Sequence, residues 1–165
     1  MDWHLAQVNI GRLRAPVDHP LIADFVAGLD RINALADRTP GFVWRLQTED
    51  GNATAIRPDA HDELLAINLS VWESSEALAD FAYRSEHVTF MRRRREWFEP
   101  FTGAYLALWW IPAGTIPTVA EAMDRIASLD RHGPTPTAFT FRHPFGPPDR
   151  QSPVVDADLR DICPA

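Results

Sequence analysis

From Leu65 onward the chain alternates strictly, with Leu65, Ile67, Leu69 and Val71 leaving one side and Ala66, Asn68, Ser70 and Trp72 the other. Successive side chains of a strand point to opposite faces, so this pattern predicts a β-strand. Its second face is unusual, carrying an amide, a hydroxyl and an indole in place of charges or plain hydrocarbon. An earlier run, Trp3–Ile10, sets Trp3, Leu5, Gln7 and Asn9 against His4, Ala6, Val8 and Ile10. Between the two, Ile22, Phe25, Val26, Leu29, Ile32 and Ala36 recur at helical spacing. They predict a helix over 21–37, started at Asp18 or His19 with Pro20 in its first turn, and with Asn33 in or beside the apolar stripe. Pro40-Gly41 ends that helix, and Phe42–Gln47 reads as the next strand. Asp50-Gly51 marks a turn, and 53–62 reads as a loop.

Downstream, Ser74 caps a short helix whose N-terminal dipole is complemented by Glu76. Ser85 restarts it as a segment carrying His87, Met91, Arg95 and Phe98, which Pro100 and Gly103 break. Tyr105–Ile111 is a strand apolar on both faces. Thr118-Val119-Ala120-Glu121 is a capping box opening a further helix, closed by Gly133-Pro134. Residues 138–145 add an extended piece. Residues 1–146 therefore form one domain, and the Pro-rich, acidic 147–165 segment has too little to bury and is expected to be a disordered tail.

The order β-α-β-β-α-β with a C-terminal helical extension is the ferredoxin-like α+β sandwich, a four-stranded antiparallel sheet with helices on one face. In that plan the first and third strands are central neighbours, so Gln7 and Asn9 lie beside Asn68 and Ser70 if the registers agree. The other face carries His4, Ala6, Val8, Leu65, Ile67, Leu69 and Val71. A face that apolar does not stay wet in a small monomer, and burying it against a second copy predicts a symmetric homodimer.

Composition narrows the function classes. At 165 residues with net charge −7, the chain is a poor match for nucleic acid or an anionic membrane surface. It has no apolar run long enough for a membrane span and no signal-peptide pattern at Met1-Asp2-Trp3-His4, so the cytoplasm is the expected compartment. The one cysteine, Cys163, allows neither an internal disulfide nor a thiolate metal site. Every Lys/Arg position is arginine, which rules out Schiff-base chemistry. Scattered His4, His19, His61, His132 and His143 show no metal-ligand spacing, and no metal is expected.

The βαββαβ order, with Val-Trp-Glu-Ser closing the third strand and Tyr-Arg-Ser-Glu-His on the helix after it, resembles the dimeric α/β-barrel superfamily. That superfamily includes antibiotic-biosynthesis-type and haem-degrading monooxygenases, chlorite dismutase relatives and stress-responsive barrel proteins. More closely, Leu5–Ile10, Ile32–Ala36, Pro40–Leu46 and Leu108–Gly114 resemble a bacterial family catalogued only as a domain of unknown function, over approximately residues 3–147. The superfamily resemblance implies two subunits stacking their sheets into a barrel, each with a pocket between sheet and helices. It places Gln7, Asn9, Asn68, Ser70 and Trp72 on the pocket side. It also implies, as one activity, cofactor-independent oxygenation through a deprotonated, electron-rich enolate. Haem-degrading members use an Asn on the first strand, a Trp on the second helix and a haem-ligating His beyond it. Asn9 matches the first, but Phe81 and Met91 stand at the other two positions and His87 lies one turn earlier, so no cofactor is predicted, with haem the alternative.

Candidate roles follow. His87 is the acid–base group, since imidazole titrates near neutrality. Asn9 is the second catalytic candidate, with Asn68 and Arg45 as further donors to an oxyanion. Gln7 and Ser70 complete a polar floor, and Trp44 and Trp72 are candidate walls. Each has a plainer reading: a self-satisfied amide network, core aromatics, a structural histidine, and an Arg45 paired with an acid such as Asp30. Arg92-Arg93-Arg94-Arg95 fans around about 300° of a helix at 100° per residue, so it reads as a solvated face, with Arg92 or Arg95 nearest the apolar side. The expected function is binding of, and monooxygenase-like action on, a small apolar or aromatic metabolite. The alternatives are a non-catalytic ligand-binding or interaction module, and a haem-binding protein.

Overall fold

The computed structural model describes residues 1–149. Four strands, β1 (Trp3–Arg12), β2 (Phe42–Arg45), β3 (Leu65–Trp72) and β4 (Leu106–Pro112), form one antiparallel sheet in the order β2-β3-β1-β4. Helix α1 (Ala23–Arg38) follows β1, after a short 3-10 turn over Pro20–Ile22 that His19 caps by accepting the Leu21 N–H at Nδ1. Between β3 and β4 come α2 (Ser75–Arg84), α3 (His87–Arg92) and α4 (Arg94–Trp97), and α5 (Val119–His132) follows β4. Both N-caps form, though the capping box does not close, since the Glu121 carboxylate accepts from the Trp109 indole and Arg125. Ser74 Oγ accepts the Ala77 N–H and Thr118 Oγ1 accepts the Glu121 N–H, each at 3.1 Å. The extended piece over 138–145 reduces to Phe139 exchanging two backbone hydrogen bonds with Leu108 of edge strand β4, beside local turns. Of the segment expected to be a disordered tail, Pro147–Asp149 is described, with the Asp149 carboxylate 3.3 Å from the N-terminal ammonium; the remainder lies outside the described residues.

The two faces of the sheet are covered differently. On one, α1 and α2 supply Ile32, Leu35, Ala36, Leu78 and Phe81, which cluster with Leu5, Trp72 and Leu108. At the opposite end of that face, Leu13, Ile22 and Trp97 gather Phe25, Phe90 and Phe98. On the other face, Ala6, Val8, Ile67, Leu69, Val71 and Trp109 cluster with Ala122, Ile126 and Leu129 of α5, and with Trp44, Leu46 and Ile56 from the β2 side. This corrects the reasoning behind the homodimer. Leu69 and Val71 are both 0% exposed in the single chain, because the C-terminal helix packs on the sheet's second face instead of extending the first. The face needs no second copy to leave water.

Two local irregularities also depart from expectation. Phe42 pairs with Trp72 and Trp44 with Val71, so two steps on β2 oppose one on β3. This bulge inserts one residue and flips the alternation, leaving Phe42 and Trp44 on opposite faces. The predicted helix through Arg95 instead breaks at Arg93 into α3 and α4. The break resets the helical phase. Arg92 and Arg95 are exposed, and Arg94 is the buried member of the run.

Candidate ligand-binding site

The registers of β1 and β3 do agree. Gln7 is directly opposite Ser70 and Asn9 opposite Asn68. These residues lie on the helix-covered face, between its two apolar clusters, and help to line a cavity of about 190 Å3. A single hydrogen-bonded chain runs along them. The Trp72 indole N–H donates to Ser70 Oγ (2.9 Å), whose hydroxyl donates to Gln7 Oε1 (2.9 Å). Gln7 Nε2 then donates to Asn9 Oδ1 (2.8 Å), which also accepts from Asn68 Nδ2 (3.0 Å). An indole nitrogen can only donate, so it fixes the direction of every bond after it and hence the orientation of each amide. Trp72, Ser70 and Gln7 are buried and bonded to one another. Asn9 is half-buried and Asn68 exposed, and among the described residues neither Asn9 Nδ2 nor Asn68 Oδ1 is engaged. The row is therefore structural at its deep end and open at its shallow end.

Aromatic rings wall the deep end. Trp72 meets Phe42 edge-on at 5.3 Å between centroids and stacks on Phe81 at 5.2 Å, and Phe81 in turn packs against the His87 ring at 4.8 Å. His87 lines the cavity one ring removed from the amide row. Its Nδ1 lies 3.2 Å from the Ala82 carbonyl, which can only accept, so Nδ1 carries the proton and the Nε2 lone pair stays free of hydrogen bonds among the described residues. Burial lowers its pKa from the ordinary 6.5, a change only partly opposed by that backbone hydrogen bond. At neutral pH the group is an uncharged imidazole with a free lone pair, the form a general base requires.

The other predicted site residues divide. Arg45 does line the cavity, but its guanidinium is committed. Nε and Nη2 bond both carboxylate oxygens of Asp37 at 2.8 and 3.1 Å, and Nη1 bonds the Gly51 carbonyl at 2.7 Å. Its acid is Asp37 and not Asp30, and it pins the 48–52 turn beside α1, where Asn33 Nδ2 also reaches the Gly51 carbonyl. Trp44 is not in the cavity at all. The bulge turns it to the opposite face, into the cluster beneath α5. Phe81 is stacked into the wall between Trp72 and His87, and Met91 also lines the cavity. Among the described residues no group of three or more His, Cys, Asp or Glu side chains is placed to hold a metal ion, and no helix is long and apolar enough to cross a membrane.

The model of DUF3291, a domain of unknown function, matches residues 4–155 of this chain. The chain belongs to the DUF3291 family. No curated protein matches its sequence significantly. Two solved structures are distantly similar to it. One is a single-site mutant of SnoaB, a cofactor-independent oxygenase from Streptomyces nogalater, with 17% identity, 72% of this chain and 100% of that one covered, and a TM-score of 0.44. The other is NE2512, a protein of unknown function from Nitrosomonas europaea, with 11% identity, 71% and 97% coverage, and a TM-score of 0.42. Neither likeness transfers a residue role or a reaction to this DUF3291 chain.

Three site residues of the DUF3291 chain were not legible in its sequence. Phe81 was read only as a mismatch to another family's tryptophan, yet it links Trp72 to His87. Phe42 lines the cavity while the bulge turns Trp44 to the opposite face. Arg94 also lines the cavity, and its inward direction depends on the helix break at Arg93. The run of four arginines was the available signal, but a continuous helix gave it the wrong phase.

Proposed function

We propose that this protein binds a small, flat, largely apolar molecule in the cavity between sheet and helices and acts on it by proton abstraction. The observation that carries this reading is the coexistence, in one aromatic-walled cavity, of a neutral imidazole held in the Nδ1–H tautomer and an oriented amide row with unused hydrogen-bonding groups at its open end. A ketone with an acidic methylene, such as an anthrone, placed against Asn9 and Asn68 would have its oxygen held by amide N–H groups. Loss of a C–H proton to His87 Nε2 then leaves an enolate whose charge those donors stabilise. Such an enolate can pass electrons to dioxygen and form a C–O bond, giving a hydroperoxide. Loss of the second C–H proton with O–O cleavage releases water and leaves a carbonyl. The balance is one methylene and one dioxygen in, one carbonyl and one water out, which is monooxygenase-like chemistry.

A non-catalytic binding module is the second reading, favoured by Phe81 standing between His87 and the amide row. Dithranol, an anthrone with an acidic methylene, discriminates the two through oxygen uptake and quinone absorbance. The enzymatic reading expects saturable turnover that falls about a hundredfold or more in His87→Gln and in Asn68→Ala, the lower end of what positioned acid–base groups and oxyanion donors supply. Full activity in both variants would place the chemistry elsewhere. Saturable binding without turnover would leave the binding module.

A further inference from the structure

Arg94 is a buried cation in the cavity lining that no acid answers among the described residues. It is 6% exposed, and among the described residues it forms no ion pair. Its Nη1 is buried with no hydrogen-bond partner, and Nη2 has only a 3.5 Å contact to the Ile10 carbonyl. Its guanidinium lies over the Phe98 and Tyr105 rings at 5.3 and 5.4 Å, which offsets part of the desolvation but supplies no counter-charge. Buried guanidinium groups are ordinarily matched to carboxylates or phosphates, because the cost of removing the charge from water is otherwise large. The neighbouring Arg93 has such partners, with Glu96 at 2.8 Å and Asp24 at 2.7 Å.

The fold also makes room for this charge. Gly11 is the next residue after Asn9 on the cavity face of β1, and a Cβ there would stand 2.7 Å from Phe98 and 3.2 Å from Arg94 Nη2. The missing side chain lets the guanidinium come down over the strand, about 7 Å along from Asn9 at the usual strand rise. The row of polar groups on β1 therefore runs Gln7, Asn9, then a cation, with the free amide of Asn9 beside it.

We infer that Arg94 binds a carboxylate of the ligand, with Asn9 left to hold the reacting oxygen, so that the site selects aromatic acids over neutral aromatics. This rests on the proposed reading of the cavity as a ligand site and adds the class of ligand. The test is titration of the full chain with β-naphthoate and with its uncharged isostere β-naphthamide, by calorimetry. Wild-type protein should bind the acid at least about tenfold more tightly, since charge-assisted hydrogen bonds are roughly twice as strong as neutral ones. In Arg94→Met, with its fold checked by near-ultraviolet circular dichroism, the acid should bind at least about tenfold more weakly and the preference for the acid should vanish. Equal affinity of the wild type for the two probes would overturn the inference while leaving the cavity as an aromatic site. So would a preference that survives in Arg94→Met. Failure of both probes to bind would overturn the cavity reading as well. If Arg94→Met does not fold, Arg94→Gln carries the same test.

Discussion

Ser70→Ala removes one atom and tests the hydrogen-bonded chain at its most enclosed link. Ser70 Oγ accepts from the Trp72 indole and donates to Gln7 Oε1, and the three residues are 6%, 1% and 5% exposed respectively. Without the hydroxyl, a buried N–H and a buried carbonyl oxygen both lose their partner. Each such group costs about 1–3 kcal/mol, whereas a substitution at an exposed site usually stays within about 0.5 kcal/mol. The Gln7 amide can recover part of its loss by rotating toward the cavity, so the expected cost is about 2–4 kcal/mol. Urea unfolding followed by far-ultraviolet circular dichroism measures it, and an unchanged m-value would show that the denatured state is not the source. The double-mutant cycle with Trp72→Phe isolates the link. The indole N–H is already gone in that background, so Ser70→Ala should cost about 1–2 kcal/mol less there. A single-mutant cost below about 0.5 kcal/mol, or no coupling in the cycle, would refute the buried chain and the amide orientations derived from it.

Two further predictions concern groups around the site. Gly41 has φ +83°, its carbonyl accepts the Glu73 N–H at 2.7 Å, and an added Cβ would lie 2.6 Å from Ala77 Cβ; Gly41→Ala should destabilise by about 2–4 kcal/mol through left-handed strain and overpacking, and an unchanged melting temperature would contradict it. His87 has a folded-state pKa below its ordinary 6.5, so its contribution to stability is fully present above pH 6.5 and is lost as pH falls toward the folded value, where the unfolded chain binds the proton first. Stability curves from mildly alkaline to mildly acidic pH should therefore be steeper for the wild type than for His87→Phe, and coincident slopes would show that His87 is not desolvated.

The sequence by itself determined the features whose causes are local. Alternation over Trp3–Ile10 and Leu65–Trp72 identifies two strands because the pleat has a period of two, and the same alternation sorts Gln7, Asn9, Asn68 and Ser70 onto one face. The starts of α2 and α5 are written in Ser74 and in Thr118 with Glu121, whose side chain or backbone chemistry acts within one turn. The order of elements then made β1 and β3 neighbours. What the sequence left undecided depends on partners far along the chain. Trp44 leaves the cavity because β2 bulges against β3, a property of the pairing and not of Phe42–Arg45 alone. Arg94 turns inward where the chain breaks at Arg93 without proline or glycine, with Phe90 and Trp97 packed together across the break at 4.9 Å. Arg45 is committed to Asp37 on a helix eight residues earlier and to a turn six residues later.

The largest tertiary decision is at the opposite face. Its apolar pattern correctly said that Leu65, Ile67, Leu69 and Val71 must be buried, since hydrophobic burial is what alternation encodes. It could not say by what, because the hydrophobic effect has no direction and any apolar cover serves. The cover is α5, more than fifty residues downstream, together with Trp44, Leu46 and Ile56. Only the three-dimensional arrangement shows which of many apolar stripes reaches that sheet, and which arginine, amide and imidazole are left facing the cavity behind it.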